Sequence, residues 1–182
     1  MKIAVDAFGG DNAPLEVIKG AIDAQKDFKI DITLVGDEAT IKKCAGDNGL
    51  DISALKIKHA DTVIDVCEEP TQVIKGKKDC SMAVGMKMLA DGEGDAFVSA
   101  GSTGALVVGA TFIVKRLKGI KRPALATVLP TAEEPTMLLD CGANSECRPE
   151  MLVQFGIMGS AYMNKIMGVK SPRVALANIG AE

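Results

Sequence analysis

Aromatic residues are scarce in this sequence, which contains one Tyr, no Trp and only 3% aromatic residues in all. Proteins that bind single-stranded nucleic acid stack its bases on aromatic side chains, so this scarcity argues against that function. The formal net charge is −3, so the chain also lacks the general positive charge that nucleic-acid binding requires. The basic segment at residues 115–122 is an exception, and we interpret it as the solvated C-terminal end of a helix. No nucleic-acid partner is therefore predicted.

Histidine is as rare as the aromatic residues. His59 is the single histidine, and the five cysteines include no CxxC pair. Because zinc sites use closely spaced Cys and His ligands, no metal site is predicted. A Ser-His-Asp triad would have to use His59, yet no GxSxG turn accompanies it. An odd number of cysteines without this pairing predicts reduced thiols and a cytoplasmic protein. No apolar run approaches the roughly 18 residues of a membrane-spanning helix.

Segments rich in Val, Ile and Leu alternate with segments of helical periodicity along the whole chain. The predicted strands are residues 2–7, 31–36, 55–60, 96–98, 122–130, 136–141 and 173–179. The predicted helices are residues 13–26 (capped by Asn12), 38–43 (capped by Asp37), 81–91, 105–113 and 150–167. Residues 61–79 are interpreted as an exposed excursion, part loop and part short helix, which could form a lid over the sheet ends. The alternation predicts βαβ units with a mainly parallel sheet between helices, in a single α/β domain over residues 1–182.

The segment DAFVSAGSTGALVVGA, residues 95–110, organises the rest of the chain. Its strand is followed by Gly101, Ser102, Thr103 and Gly104 and then by a helix, for which Ser102 or Thr103 is a suitable N-cap. A turn of this kind directs unpaired backbone N–H groups and the positive helix end toward an anion. The segment matches neither the GxxxxGK[ST] loop nor the GxGxxG fingerprint. An anion site and a plain tight βα turn are equally compatible with it.

Two more predicted strands end in turns of small residues that carry acids or amides. The first, DAFGGD, contains Asp6 and Asp11 around two glycines, and the second, DCGAN, contains Asp140 and Asn144. Because the carboxyl ends of parallel strands meet at one sheet edge, the three turns would line one crevice, where ligands bind in open α/β sheets. For the first turn, a capped turn with incidental acids is an equal alternative. The last predicted strand ends at NIGAE without a following helix, so we expect this chain to be the N-terminal part of a longer protein.

Six segments together resemble the PlsX-type phosphate acyltransferases of bacterial phospholipid synthesis. They are MKIAVDAFGGDNAP, ITLVGD, SAGSTGAL, IKRPALATVLPT, LLDCGAN and LVQFGIMGSAYMNKIMGVKSPRVALANIG, and the resemblance covers essentially the whole chain. It implies transfer of an acyl group from acyl-[acyl carrier protein] to orthophosphate, which gives acyl phosphate and free carrier. The acyl phosphate would then be used by the acyltransferase that acylates glycerol 3-phosphate.

The resemblance also implies a structure and a setting for this reaction. The fold would be a three-layer α/β/α sandwich similar to phosphotransacetylases and to isocitrate and isopropylmalate dehydrogenases. The protein would be a homodimer, either cytoplasmic or peripherally associated with the inner membrane face, and would use no metal or nucleotide cofactor. Four positions depart from the family pattern: Phe8 replaces Met, Ser102 replaces Asn, Cys141 replaces Val and Arg148 replaces Lys. Family members are considerably longer, so an isolated chain of this length could be inactive.

The implied chemistry requires the enzyme to hold two anionic reactants together and to stabilise an oxyanion, tasks that suit backbone amides at a helix N-terminus. The predicted catalytic residues are Asp6, Thr103 and Asn144. The predicted phosphate- or substrate-binding residues are Gly9, Gly10, Asp11, Gly101, Ser102, Gly104 and Asp140. Direct attack by phosphate needs no enzyme nucleophile, and we consider a covalent route through Cys141 less favourable.

Two alternative functions stay open at this point. One is a phosphotransacetylase-like acyltransferase that acts on coenzyme A thioesters, and the other is a non-catalytic domain that binds a carrier protein. A metal-dependent decarboxylating dehydrogenase ranks last, because the sequence has no dinucleotide fingerprint.

Overall fold

The structure, a computed structural model, describes residues 1–132, 134–178 and 180. The chain divides into two compact units, Met1–Arg116 and Leu117–Glu182, and each is described by itself. Compact units of this size can belong to one domain, so the single domain over residues 1–182 stays a prediction.

A four-stranded parallel sheet forms the centre of the first unit. Its strands are β1 (Lys2–Asp6), β2 (Asp31–Gly36), β3 (Lys56–His59) and β4 (Ala96–Val98), in the spatial order β3-β2-β1-β4. The register places Val5 of β1 opposite Leu34 of β2 and Val98 of β4. The strands end together at what we call the carboxyl edge of the sheet. This unit confirms the predicted βαβ organisation and the four strands, with bounds that differ by at most one residue at either end.

Helices cover both faces of this sheet. The helices of the first unit are α1 (Leu15–Phe28), α2 (Glu38–Asp47), α3 (Ser81–Ala90) and α4 (Thr103–Gly109). On one face of the sheet, Ile32 and Leu34 of β2 pack in an apolar cluster with α1 and α2. On the opposite face, Ala4 and Val35 pack with Met88 of α3. Alternate residues of a strand point to opposite faces, so this division of the core requires a helix layer on each side.

Most helix termini differ from the sequence prediction by one or more residues, and the first two helices give examples. Asn12 does not cap α1 with its side chain; its backbone carbonyl accepts a hydrogen bond from Glu16 N at 3.2 Å, and the helix begins after Pro14. The second helix ends at Asp47 rather than at residue 43. The predicted cap Asp37 is confirmed, because its carboxylate accepts a hydrogen bond from Thr40 N at 2.7 Å. After α4 the chain continues as a π-helical segment, Ala110–Lys115.

The second unit contains an antiparallel pair, β5 (Ala126–Leu129) and β6 (Thr136–Leu139), followed by α5 (Pro149–Lys165). Both strands were predicted as elements. They were expected in the parallel sheet, but they form a separate antiparallel sheet. Residues 173–178, predicted as a strand, form none, since no neighbouring strand in the described residues supplies hydrogen-bond partners. Ile179, at the end of that prediction, and residues 181–182 lie outside the described residues.

The buried face of α5 is shifted by about one residue position relative to the predicted buried face. Its buried residues are Met151, Phe155 and Met163, whereas the prediction named Leu152, Phe155, Met158 and Tyr162. At the centre of the observed face is Gly159, where an added Cβ would lie 3.7 Å from Met137 Sδ of β6. Because this contact is made by a glycine, the hydrophobic pattern could not reveal it. No helix in the described ranges is long and apolar enough to cross a bilayer.

Gly85 of α3 provides a test of the packing between α3 and the sheet. An added Cβ at this position would lie 2.2 Å from Phe97 Cε2 of β4, so Gly85→Ala forces the ring or the helix to move. We expect Gly85→Ala to lower the free energy of unfolding by about 1–3 kcal/mol in urea denaturation. The matched control is Gly20→Ala in α1, where an added Cβ meets nothing within 4 Å. It should raise stability by about 0.5–1 kcal/mol, because alanine favours helix. Equal stability of the two variants would contradict this packing.

Candidate functional site

The turns that follow β1 and β4 meet at the carboxyl edge of the sheet. The hydroxyl group of Ser99, directly after β4, donates a hydrogen bond to Asp6 Oδ2 at 2.7 Å. The same Oγ accepts a hydrogen bond from Gly101 N at 3.1 Å. Because β1 and β4 are adjacent parallel strands, both turns leave the sheet at the same edge. The structure therefore brings together two of the three predicted turns.

The Asp6 carboxylate is enclosed by this arrangement, with only 3% of the residue exposed. Its second oxygen, Oδ1, accepts a hydrogen bond from Phe8 N at 3.2 Å. Both oxygens thus have donors within the protein, as a buried carboxylate requires. Asp6 connects the two turns, and its predicted catalytic role stays a prediction.

Glycine is required where the two turns touch. A Cβ on Gly9 would lie 2.7 Å from Ser99 Oγ and 2.8 Å from Gly101 N. Gly10 has a φ of +104°, and a Cβ there would lie 3.3 Å from Ala100 Cβ. Contact between the turns is sufficient to explain both glycines. Their predicted role in ligand binding stays a prediction, as does that of Asp11, which is exposed beside them.

Of the two predicted caps of α4, Ser102 and Thr103, the structure uses Ser102. Ser102 is 5% exposed, and its Oγ accepts a hydrogen bond from Ala105 N at 3.3 Å. The Gly101 amide is bound by Ser99, as described above. Thr103 and Gly104 are exposed, and their amides, the first of the helix, have no intrahelical acceptor. These two amides and the Thr103 hydroxyl are the groups of this turn that could bind an anion.

The excursion between β3 and α3 packs beside this turn. Its short 3₁₀ helix, Pro70–Val73, lies against the start of α4, where a Cβ on Gly104 would be 2.8 Å from Pro70 Cγ. The excursion is anchored by the buried Val73 and by Lys77, whose Nζ donates to Glu68 and to the carbonyl of Val63. Lys77 therefore has a structural ion pair. A lid function for this segment stays a prediction.

The start of α3 also borders the site, which the sequence did not indicate. Met82 contacts the turn, with its Cε 3.3 Å from the position of a Cβ on Gly101. Cys80, which caps α3, is fully buried, and its Sγ accepts a hydrogen bond from Ala83 N. Burial raises the pKa of the Cys80 thiol, and the Asp6 carboxylate raises it further. A thiol of this kind is protonated and unsuited to nucleophilic attack.

The third predicted turn belongs to the second unit, where Asp140 and Asn144 bind each other. Asp140 Oδ2 accepts hydrogen bonds from Asn144 N at 2.8 Å and from Asn144 Nδ2 at 3.1 Å, and Oδ1 accepts from Leu125 N at 2.7 Å. Asn144 Nδ2 also donates to the carbonyl of Pro123. Burial alone would raise the pKa of the Asp140 carboxyl, but the hydrogen bonds from Leu125, Asn144 and Ala143 outweigh it and hold this pKa below its ordinary value.

These contacts give Asp140 and Asn144 a structural role that the sequence did not predict. Because β6 pairs only with the antiparallel β5 in the described residues, the argument from a shared parallel edge does not apply to this turn. The catalytic role of Asn144 and the binding role of Asp140 stay predictions. Among the described residues, no group of three or more His, Cys, Asp and Glu side chains could hold a metal ion.

A mostly parallel sheet flanked by helices, with a hydroxyl- and glycine-containing turn before a helix at its carboxyl edge, defines an α/β protein of the phosphotransacetylase-like fold. Two solved structures share it: the EutD phosphotransacetylase from Staphylococcus aureus (TM-score 0.68, 22% identity) and a phosphotransacetylase from Streptococcus pyogenes (TM-score 0.71, 20% identity). They cover 90% and 93% of this chain, which covers 52% and 55% of theirs. The family model described as fatty acid synthesis protein matches residues 1–182, and the chain belongs to this family.

Curated relatives match over the whole chain. The phosphate acyltransferases of Acetivibrio thermocellus, Caldanaerobacter subterraneus and Bacillus licheniformis are 46%, 48% and 47% identical to it. Each alignment covers 100% of this chain and 54% of the relative. The chain thus spans about half the length of these relatives.

The Asp140 hydrogen bonds predict a pH-dependent contribution to stability. A carboxyl with a lowered pKa in the folded chain stabilises the fold above its unfolded pKa, near 3.8, and this contribution is lost as the pH falls through the folded pKa. Asp140→Asn should therefore lower the free energy of unfolding by about 1 kcal/mol or more at about pH 7. The difference from the wild type should shrink toward about pH 3. Urea unfolding across this range measures it, with the exposed Asp23→Asn in α1 as the control. A constant difference at all pH values would refute the assignment.

Proposed function

We propose that this chain binds the reactants of a phosphate acyltransferase, which transfers an acyl group from acyl-[acyl carrier protein] to orthophosphate. One observation carries the proposal: a chain 46–48% identical over its whole length to phosphate acyltransferases presents two open amides and a hydroxyl group at the start of α4. A helix N-terminus with free amides favours a bound phosphate or a developing oxyanion.

The reaction needs only positioning and charge stabilisation. An oxygen of hydrogen phosphate attacks the thioester carbon, a C–O bond forms, the C–S bond breaks, and the proton of hydrogen phosphate goes to the departing thiolate. The products are acyl phosphate and the free thiol of the carrier. Thr103 and Gly104 would hold phosphate or the oxyanion through their amides, with a further hydrogen bond from the Thr103 hydroxyl. Bringing two bound reactants into contact can lower the barrier by about 7–11 kcal/mol at best.

The remaining features implied by the family resemblance belong to the same proposal. The partners would be acyl carrier protein and orthophosphate, and the acyl phosphate would be consumed by a glycerol-3-phosphate acyltransferase. The protein would act as a homodimer in the cytoplasm, with peripheral contact at the inner membrane face. Gly9, Gly10 and Asp11 would border the phosphate, and Asp140 and Asn144 of the second unit would take part in substrate binding.

A second candidate is an acyltransferase that acts on coenzyme A thioesters. The observation that favours it is the phosphotransacetylase fold of the two solved structures. The two candidates share the phosphate site and differ in the thiol that leaves. We favour the carrier-protein thioester because the relatives with 46–48% identity over the whole chain are named phosphate acyltransferases.

A direct assay separates the two candidates. The full-length natural protein is incubated with a long-chain acyl-[acyl carrier protein] or with the matching acyl-coenzyme A, with and without inorganic phosphate, and both free thiol and acyl phosphate are measured. We expect phosphate-dependent release of the carrier protein with stoichiometric acyl phosphate, and a lower kcat/KM for acyl-coenzyme A. A higher kcat/KM for acyl-coenzyme A would support the second candidate. Carrier binding without any release would refute both.

Thr103 provides the test at the level of a single residue. Thr103→Val keeps the shape of the side chain but removes the hydroxyl group that would donate to phosphate. A hydrogen bond to a charged group contributes about 1.5–3 kcal/mol, so turnover should fall by about 10- to 100-fold. Thermal unfolding should be nearly unchanged, because Thr103 is exposed. The control is Thr127→Val, an exposed threonine in β5. Equal turnover of the Thr103 variant and the wild type would remove Thr103 from the site.

A further inference from the structure

We propose that Ser99 is a positioning residue for the phosphate site: its hydroxyl group, oriented by the buried Asp6 carboxylate, holds the Gly101 amide and so fixes the turn that presents Thr103 and Gly104. This inference rests on the proposed function and adds to it a residue that the sequence did not single out. Ser99 itself is only half-buried, yet it is the one hydroxyl group in the described residues with a hydrogen bond to Asp6.

The two hydrogen bonds of Ser99 determine which way its hydroxyl group faces. Because the Gly101 N–H can only donate, the Ser99 hydroxyl accepts from it and directs its own proton to Asp6 Oδ2, at 2.7 Å. The lone pairs of Oγ therefore point away from Asp6, and one of them accepts Gly101 N at 3.1 Å. A freely rotating hydroxyl would bind the Gly101 amide only part of the time. The buried carboxylate thus turns Ser99 into a fixed acceptor for the turn.

The position of Gly101 in turn fixes the start of α4. Gly101 is packed between Gly9, whose Cα lies 3.4 Å from the position of a Cβ on Gly101, and Met82 of α3. Next to it is Ser102, whose buried side chain caps the helix. A rotation of the Gly101 peptide would therefore change the direction of the amides at Thr103 and Gly104. An anion site made of backbone amides works only while those amides are held in place before the anion arrives.

The hydrogen bonds from Asp6 through Ser99 to Gly101 give Asp6 a function that its burial alone does not explain. Asp6 is too enclosed to touch phosphate, and its negative charge would repel phosphate at short range. Acting through Ser99, it contributes orientation while its own charge is bound by the hydroxyl group and by Phe8 N. Asp6 and Ser99 should therefore behave as one unit.

The test uses the full-length natural protein and measures two quantities separately: the affinity for phosphate and the hydrogen exchange of the Gly101 amide in the turn. Ser99→Ala should raise the KM for phosphate, and the Kd for inorganic phosphate in calorimetry, by about 3- to 10-fold, the effect of one lost hydrogen bond. The KM for the acyl carrier substrate should stay the same. Ser99→Thr, which keeps the hydroxyl group, should restore phosphate affinity to within about twofold of the wild type. Ser160→Ala in α5 is the matched control and should change neither constant.

Two further readouts distinguish positioning from a merely structural role. Hydrogen exchange of the Gly101 amide, followed by NMR, should become faster in Ser99→Ala and return to the wild-type rate in Ser99→Thr. In a double-mutant cycle, Ser99→Ala should have a smaller effect on phosphate affinity in the Asp6→Asn background than alone. A structural role would instead lower the melting temperature and the active fraction, and would leave the phosphate constants unchanged. If Ser99→Ala does not fold, Ser99→Cys, with a weaker donor and acceptor, takes its place.

The outcomes separate this inference from the proposed function. Phosphate-dependent turnover in the wild type with unchanged phosphate constants in Ser99→Ala would overturn the inference and leave the function standing. Phosphate binding without turnover would overturn the function, and the affinities of the Ser99 variants would then decide the inference. A wild type that neither binds inorganic phosphate nor turns over would overturn both.

Discussion

The hydrogen bond between Asp6 and Ser99 is the contact on which the carboxyl edge of the sheet depends. A buried carboxylate without donors is strongly unfavourable, so the chain must supply them from both sides. Phe8 N provides one from the turn after β1, and the Ser99 hydroxyl provides the other from the turn after β4. This requirement joins two segments that are 93 residues apart in sequence. The pairing of β1 with β4 brings their ends together, and the buried charge then fixes how the two turns meet.

The glycines of these turns illustrate how a single pattern can have two causes. From the sequence, glycine after a strand indicates either a tight turn or the close approach of a ligand. In the structure, Gly9 is needed because Ser99 and Gly101 occupy the space of its side chain, and Gly104 is needed because Pro70 does. The same packing leaves the amides of Thr103 and Gly104 at the exposed start of α4. Tight packing within the protein is thus compatible with the proposed anion site, because the packing holds the open amides in place.

Local sequence signals predicted the local features well. Short apolar runs identified β1 to β4, and the hydroxyl group before a helical run identified the Ser102 cap, because both depend on neighbouring residues. Contacts between distant segments could not be predicted in this way. Examples are the pairing of Asp140 with Asn144 and Leu125, the antiparallel β5–β6 pair, and the face of α5, which is centred on Gly159. Ser99 was missed because a serine after a strand has no distinctive pattern until its partner Asp6 is known.

The cysteines bear on the choice between direct and covalent acyl transfer. A thiol nucleophile must ionise and must be reachable by the thioester. Cys80 is close to the candidate site but is fully buried, and its pKa is raised by burial and by Asp6. Cys141 belongs to the second unit, where its thiol donates a hydrogen bond to the carbonyl of Leu138 at 3.1 Å. Cys80 meets neither requirement, whereas phosphate is itself a nucleophile, which the start of α4 would hold in the proposed reaction. The geometry therefore favours direct attack by phosphate in the proposed reaction, with the protein contributing position and charge stabilisation.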